Sequence, residues 1–91
     1  MSGRTSEILV LQTATALPAT PLFFRRSVEV QNLGPNPIYV AYSSDTAVVN
    51  KARKLATGDT MSVTGQGFTL YAITTVDQVT GAATIVQELE P

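Results

Sequence analysis

The chain has 91 residues, a formal net charge of −1, and neither cysteine nor histidine. That length admits one domain, and the missing residue types exclude disulfides, nucleophilic catalysis built on Cys or His, and zinc centres of the usual donor sets. Only 14% of residues are charged, against roughly 25% in soluble chains, so the surface is either dominated by Thr, Ser, Gln and Asn or partly buried against partners.

Residues 1–6 are small and polar and are expected to be mobile. Residues 7–15 are apolar and β-branched enough for a strand, which Pro18 and Pro21 then break. Leu22, Phe23 and Phe24 form the densest apolar cluster. From Ser27 to Asn32 the pattern alternates, with Val28 and Val30 on one side and Glu29 and Gln31 on the other, which predicts a half-buried strand. Gly34-Pro35-Asn36-Pro37 supplies turn residues. Alternation then resumes, with Ile38, Val40 and Tyr42 on one face and Tyr39 and Ala41 on the other; the two strands are expected to pair as an antiparallel hairpin. Residues 45–54 admit one or two helical turns with Ser44 or Asp45 as N-cap, but they are short and β-branched, so residues 43–53 are expected to be a connecting loop. A turn at Thr57-Gly58-Asp59 leads to a strand over residues 60–64 with Met61 and Val63 inward. A second turn at Gly65-Gln66-Gly67 leads to a strand over residues 68–75, with Phe68, Leu70 and Ala72 on one face and Tyr71 and Ile73 on the other. A third turn, residues 77–81, precedes a last strand over residues 82–88. The sum is an all-β chain: a small antiparallel β-sandwich or barrel of six to seven short strands, with residues 1–21 as an N-terminal arm or first strand and residues 22–91 as the sandwich domain.

No catalytic, cofactor or metal site is legible. Most of the acids Glu7, Glu29, Asp45, Asp59, Asp77, Glu88 and Glu90 are expected at turns or on solvent faces, without the carboxylate pair of a glycosidase or the clustered oxygens of a calcium loop. Gly58-Asp59-Thr60 and Gly65-Gln66-Gly67 sit in turns and open no helix, so they do not form phosphate cradles. Six Lys and Arg against seven acids create no field for nucleic acid, and no aromatic residue interleaves with Lys51, Arg53 and Lys54. That basic group is either a solvated loop or a salt-bridging contact. No apolar run reaches the ~18 residues of a membrane span, and residues 8–11 are too few for the apolar stretch of a cleaved leader. What remains is adhesion. Adjacent strand residues face opposite ways, so one of Phe23 and Phe24 points outward or under a neighbour. Tyr39, out of phase with Ile38 and Val40, does the same. Ile8, Leu9, Leu11 and Leu22 complete the candidate interaction residues.

Arg-x-Val-x-Val-x-Asn-Leu-Gly over residues 26–34, Asn-Pro-Ile-Tyr-Val over 36–40, Leu-Ala-Thr-Gly-Asp over 55–59, Leu-Tyr-Ala over 70–72 and Val-x-Glu over 86–88 follow in order. In this order the chain resembles the small β-sandwich virion proteins of tailed bacteriophages, some of which decorate or cement the capsid while others belong to head or tail fibres. The resemblance implies a structural virion protein made in the bacterial host cytoplasm and located on the capsid surface. It would partner the major capsid protein and link capsomers as a homotrimer, with no enzymatic activity, cofactor, nucleic acid or membrane partner. Alternatives are a head-fibre base or tail structural component, and a carbohydrate- or receptor-binding module. In the lead case the arm pairs with a neighbouring sheet edge or lies along the shell.

Overall fold

Alternation of apolar and polar residues governs the strands. In Ser27–Asn32 the side chains of Val28 and Val30 are fully buried, while Glu29 faces solvent. In Leu70–Thr74 the buried positions are Leu70, Ala72 and Thr74. The period of two is that of a pleated strand with one face on a core. The computed structural model describes residues 3–22, 24–65 and 67–90. It contains eight strands: β1 (Gly3–Ile8), β2 (Thr15–Leu17), β3 (Ser27–Asn32), β4 (Ile38–Ala41), β5 (Arg53–Leu55), β6 (Thr60–Thr64), β7 (Leu70–Thr74) and β8 (Thr84–Leu89). There is no helix among the described residues. The strands form two open antiparallel four-stranded sheets, ordered β1-β8-β3-β6 and β2-β7-β4-β5. The barrel alternative is thereby set aside, and the strand count exceeds the six to seven expected. One apolar cluster is shared by both sheets, with Val28, Val30, Met61 and Val86 from the first and Leu17, Ile38, Val40, Leu55, Leu70 and Ala72 from the second.

The expected hairpin of β3 and β4 does not form. β3 is already flanked by β6 and β8, so it has no open edge to offer. Pro35 and Pro37 lack donors for a ladder, and the Asn32 side chain turns the chain across to the other sheet. Its Oδ1 accepts the Gly34 N–H at 2.9 Å, and its Nδ2 donates to the Asn36 carbonyl at 2.9 Å. β4 pairs instead with β5 and β7. Among the described residues, only the β4–β5 link joins consecutive strands of one sheet; every other connection crosses between sheets.

The N-terminal segment is integrated into this body. Residues 3–8, of which 3–6 were expected to be mobile, pair with β8 from Gly3↔Leu89 to Ile8↔Thr84. β2 pairs with β7, and Val10 and Leu17 are fully buried in the shared core. Residues 3–17 therefore belong to both sheets, and the strand expected over residues 7–15 is two strands separated by the 9–14 loop. The register places four loops at one end, here the distal end: residues 9–14, 33–37, 56–59 and 75–83. Residues 18–26, 42–52 and 65–69 lie at the opposite, proximal end. At Gly58, φ is +86°, a region open to glycine at little cost; the Asp59 N–H donates to the Ala56 carbonyl at 3.0 Å and closes the β5–β6 turn, while the Gly58 N–H donates to the Asn32 carbonyl at 2.6 Å and ties that turn to β3.

Candidate functional site

Two polar hubs close the two ends of the sheets. At the proximal end, Glu88 on β8 is 3% exposed and Arg25 in the β2–β3 loop is 1% exposed. Arg25 Nη1 donates to Glu88 Oε2 at 3.0 Å, and its Nη2 to the Phe68 carbonyl at 2.7 Å. Arg4 on β1 donates through Nε to Glu88 Oε1 at 3.0 Å and through Nη2 to the Thr20 carbonyl at 2.6 Å. The Leu22 N–H completes the set, donating to Glu88 Oε2 at 2.8 Å. Burial pushes the Glu88 carboxyl upward, but the Leu22 N–H and the Arg4 and Arg25 guanidinium groups outweigh it and hold the pKa below the usual carboxylate value. The Arg25 guanidinium also lies 4.8 Å from the Phe68 ring centroid, a cation–π geometry. Its Nε finds no acceptor among the described residues.

At the distal end the hub is neutral. Gln78 Nε2 donates to Asn32 Oδ1 at 3.0 Å, while Gln78 Oε1 accepts the Val10 N–H and the Thr84 hydroxyl, each at 3.0 Å. Asn32 Nδ2 reaches the Leu55 carbonyl at 3.0 Å. One amide pair thus ties together the loops after β1, β3 and β7 and the end of β5. Gly34 sits against it so tightly that a Cβ would come within 2.8 Å of Gln78 Nε2 and 3.1 Å of the Ala82 carbonyl oxygen.

Of the expected interaction residues, some lie at the surface and others do not. Ile8 is half-buried against the core, and Leu9 and Leu11 are exposed in the distal 9–14 loop. Leu22 is half-buried at the proximal end, where it lines a shallow pocket with Pro21, Gly67 and Phe68. Phe24, 60% exposed, lies in the same 18–26 loop, and Phe23 lies outside the described residues. Lys51, Arg53 and Lys54 are exposed. Tyr39 differs from its expected outward, wet position: it is only 6% exposed, and its hydroxyl donates to Asn50 Oδ1 at 2.9 Å. Its face of the sheet carries the β4–β5 loop, in which Ala47 is also buried. Tyr42, expected inward with Ile38 and Val40, is 65% exposed because β4 ends at Ala41. Its ring meets Phe68 edge-on at 5.9 Å. Tyr42, Lys51 and Arg53 rim a cleft of about 330 Å³ floored by Val40, Met61 and Leu70.

Arg4, Arg25 and Glu88 escape the sequence because their partners are 63 or 84 residues away. The signal available was the Arg25-Arg26 pair ahead of β3: alternation sends one of them inward, and a buried arginine requires an acid. Val76 and Val79, both exposed, could have been found as apolar residues, one just before and one inside the turn over residues 77–81. The described residues contain no group of three or more His, Cys, Asp or Glu able to hold a metal ion. No protein-family model, curated protein or solved structure matches this chain.

Proposed function

We propose that the chain is a non-catalytic structural protein of a tailed-phage particle, its two sheets packed as a β-sandwich, and that it binds the capsid surface as a decoration or cement protein, assembling as a trimer. The observation that carries this reading is the distribution of exposed apolar side chains. Leu9, Leu11, Leu33, Val76 and Val79 stand at the distal end, and Phe24, Tyr42, Val48 and Leu89 at the proximal end. Between them the exposed positions of the first sheet are mostly polar, among them Thr5, Glu7, Glu29, Ser62 and Gln87, whereas the outer face of the second sheet shows the half-buried Ala16, Tyr71 and Ile73. A body with one polar sheet face and apolar side chains exposed at both ends is suited to bridging neighbours, each contact contributing roughly 25 cal/mol per Å² of apolar surface buried. The ordered motifs from Arg26 to Glu88 supply the phage setting. Because residues 3–17 are part of both sheets, linkage runs through the loop ends and the β1 edge rather than through a detached arm. Quantitative mass spectrometry of purified particles tests this. Copy number comparable with the shell subunit is expected; a low copy number transfers the chain to the tail or head-fibre reading, and absence from the particle overturns both. The tail reading draws support from the unlike chemistry of the two ends, which suits stacking along an axis.

A further inference from the structure

Every Lys and Arg lies at the proximal end or on the adjoining β5 edge: Arg4, Arg25, Arg26, Lys51, Arg53 and Lys54. The distal loops contain no cation, and the carboxylates there are Asp59 and Asp77, with Glu7 beside them on β1. The most prominent distal feature is the start of the 75–83 loop, where the exposed Val76 and Val79 flank Asp77. That loop is held in shape from within. Gln78 is locked into the amide hub, Asp77 Oδ1 accepts the Gln12 N–H at 2.8 Å, and Val79 bridges to Ala82. Two apolar tips with an anion between them match the Tyr42–Lys51–Arg53 cleft, whose floor is apolar and whose rim carries two cations. Loop and cleft stand at opposite ends of the strands, so one chain cannot satisfy its own pair.

We propose that the 75–80 loop of one copy docks in the Tyr42–Lys51–Arg53 cleft of a second copy, a head-to-tail contact between identical chains. The preformed loop loses little conformational freedom on docking, and the opposite charges orient the encounter. Such a contact is heterologous. Each added copy leaves a loop and a cleft unfilled, so assembly proceeds past the dimer into a ring or an open stack. It stands independently of any phage setting, since it needs only this chain.

Sedimentation velocity on the purified chain tests it. In low salt the weight-average mass is expected to rise with concentration beyond that of a dimer. At about 1 M salt, where the Debye length is about 3 Å, it falls back toward the monomer. Lys51→Glu with Arg53→Glu reverses the cleft, and Thr75→Lys with Thr80→Lys reverses the loop while keeping both valines. Each double variant alone stays monomeric, and an equimolar mixture regains mass because the reversed surfaces complement each other. Val79→Ser, at an exposed side chain, weakens association by about tenfold and provides a route that leaves the charges untouched. A wild-type chain that stays monomeric, a species that saturates at dimer, a mixture that fails to regain mass, or a Val79→Ser variant that associates as wild type overturns the proposal.

Discussion

The two ends of the molecule solve one problem with different chemistry. Each must hold loops from both sheets against a shared core, and each does so around a buried side chain that accepts from one loop and is reached by another. The proximal end uses an ion, Glu88, held between two arginines. The distal end uses two amides, Asn32 and Gln78. An ion bonds more strongly but tolerates no loss of a partner, because an uncompensated buried charge is far costlier than an unsatisfied amide. The proximal hub is also open to titration, and the distal hub is not.

Removing the ion gives the largest effect. Glu88→Gln leaves Arg25, which cannot reach water, without its counter-charge, and is expected to cost about 3–5 kcal/mol; urea unfolding monitored by circular dichroism measures it. A loss below that of Asn32→Ala would contradict the contrast. Asn32→Ala strands the Gly34 N–H, the Leu55 and Asn36 carbonyls and Gln78 Nε2, and is expected to cost about 2–3 kcal/mol by the same assay. Titration then separates the hubs. The folded pKa of Glu88 lies below its unfolded value, so its contribution is complete above the unfolded value and disappears as pH falls through the folded one. Wild type and Asn32→Ala should therefore lose stability on acidification with matching slopes, whereas Glu88→Gln should show a shallower acid dependence; identical slopes in all three would remove the ion's distinct role. Smallest is Tyr39→Phe, which deletes the bond to Asn50 and is expected to cost about 1 kcal/mol in thermal unfolding, with both hubs intact.

How much of this was legible follows from how local each feature is. Val28, Val30, Ile38 and Val40 were readable as inward residues because alternation is written into consecutive positions, and the turn at Gly58 because its backbone demands are local. Pairing was not. Nothing in residues 27–42 says that β3 will spend both edges on β6 and β8, so proximity along the chain suggested a hairpin where the chain in fact changes sheets. β5 was missed because three residues, two of them charged, carry no periodicity. Tyr39 and Tyr42 exchanged roles for the same reason: alternation gives the side of the sheet, but whether that side is wet depends on a loop folding over it, and whether a strand continues depends on its neighbours. The candidate surface was legible as residue types, with Lys51 and Arg53 singled out, but the cleft they share with Tyr42 exists only once Met61 and Leu70 arrive from other strands.

The place of β8 has a consequence for synthesis. It lies between β1 and β3 yet follows the seven other strands among the described residues, so neither of these earlier strands has its common neighbour until Thr84–Leu89 has cleared the ribosome. Domains usually begin folding on the ribosome as translation proceeds, and ladders between distant segments form slowly. This nascent polypeptide emerges with only the β3–β6 ladder of its first sheet available, and translation of β8 sets the moment at which β1 can join it.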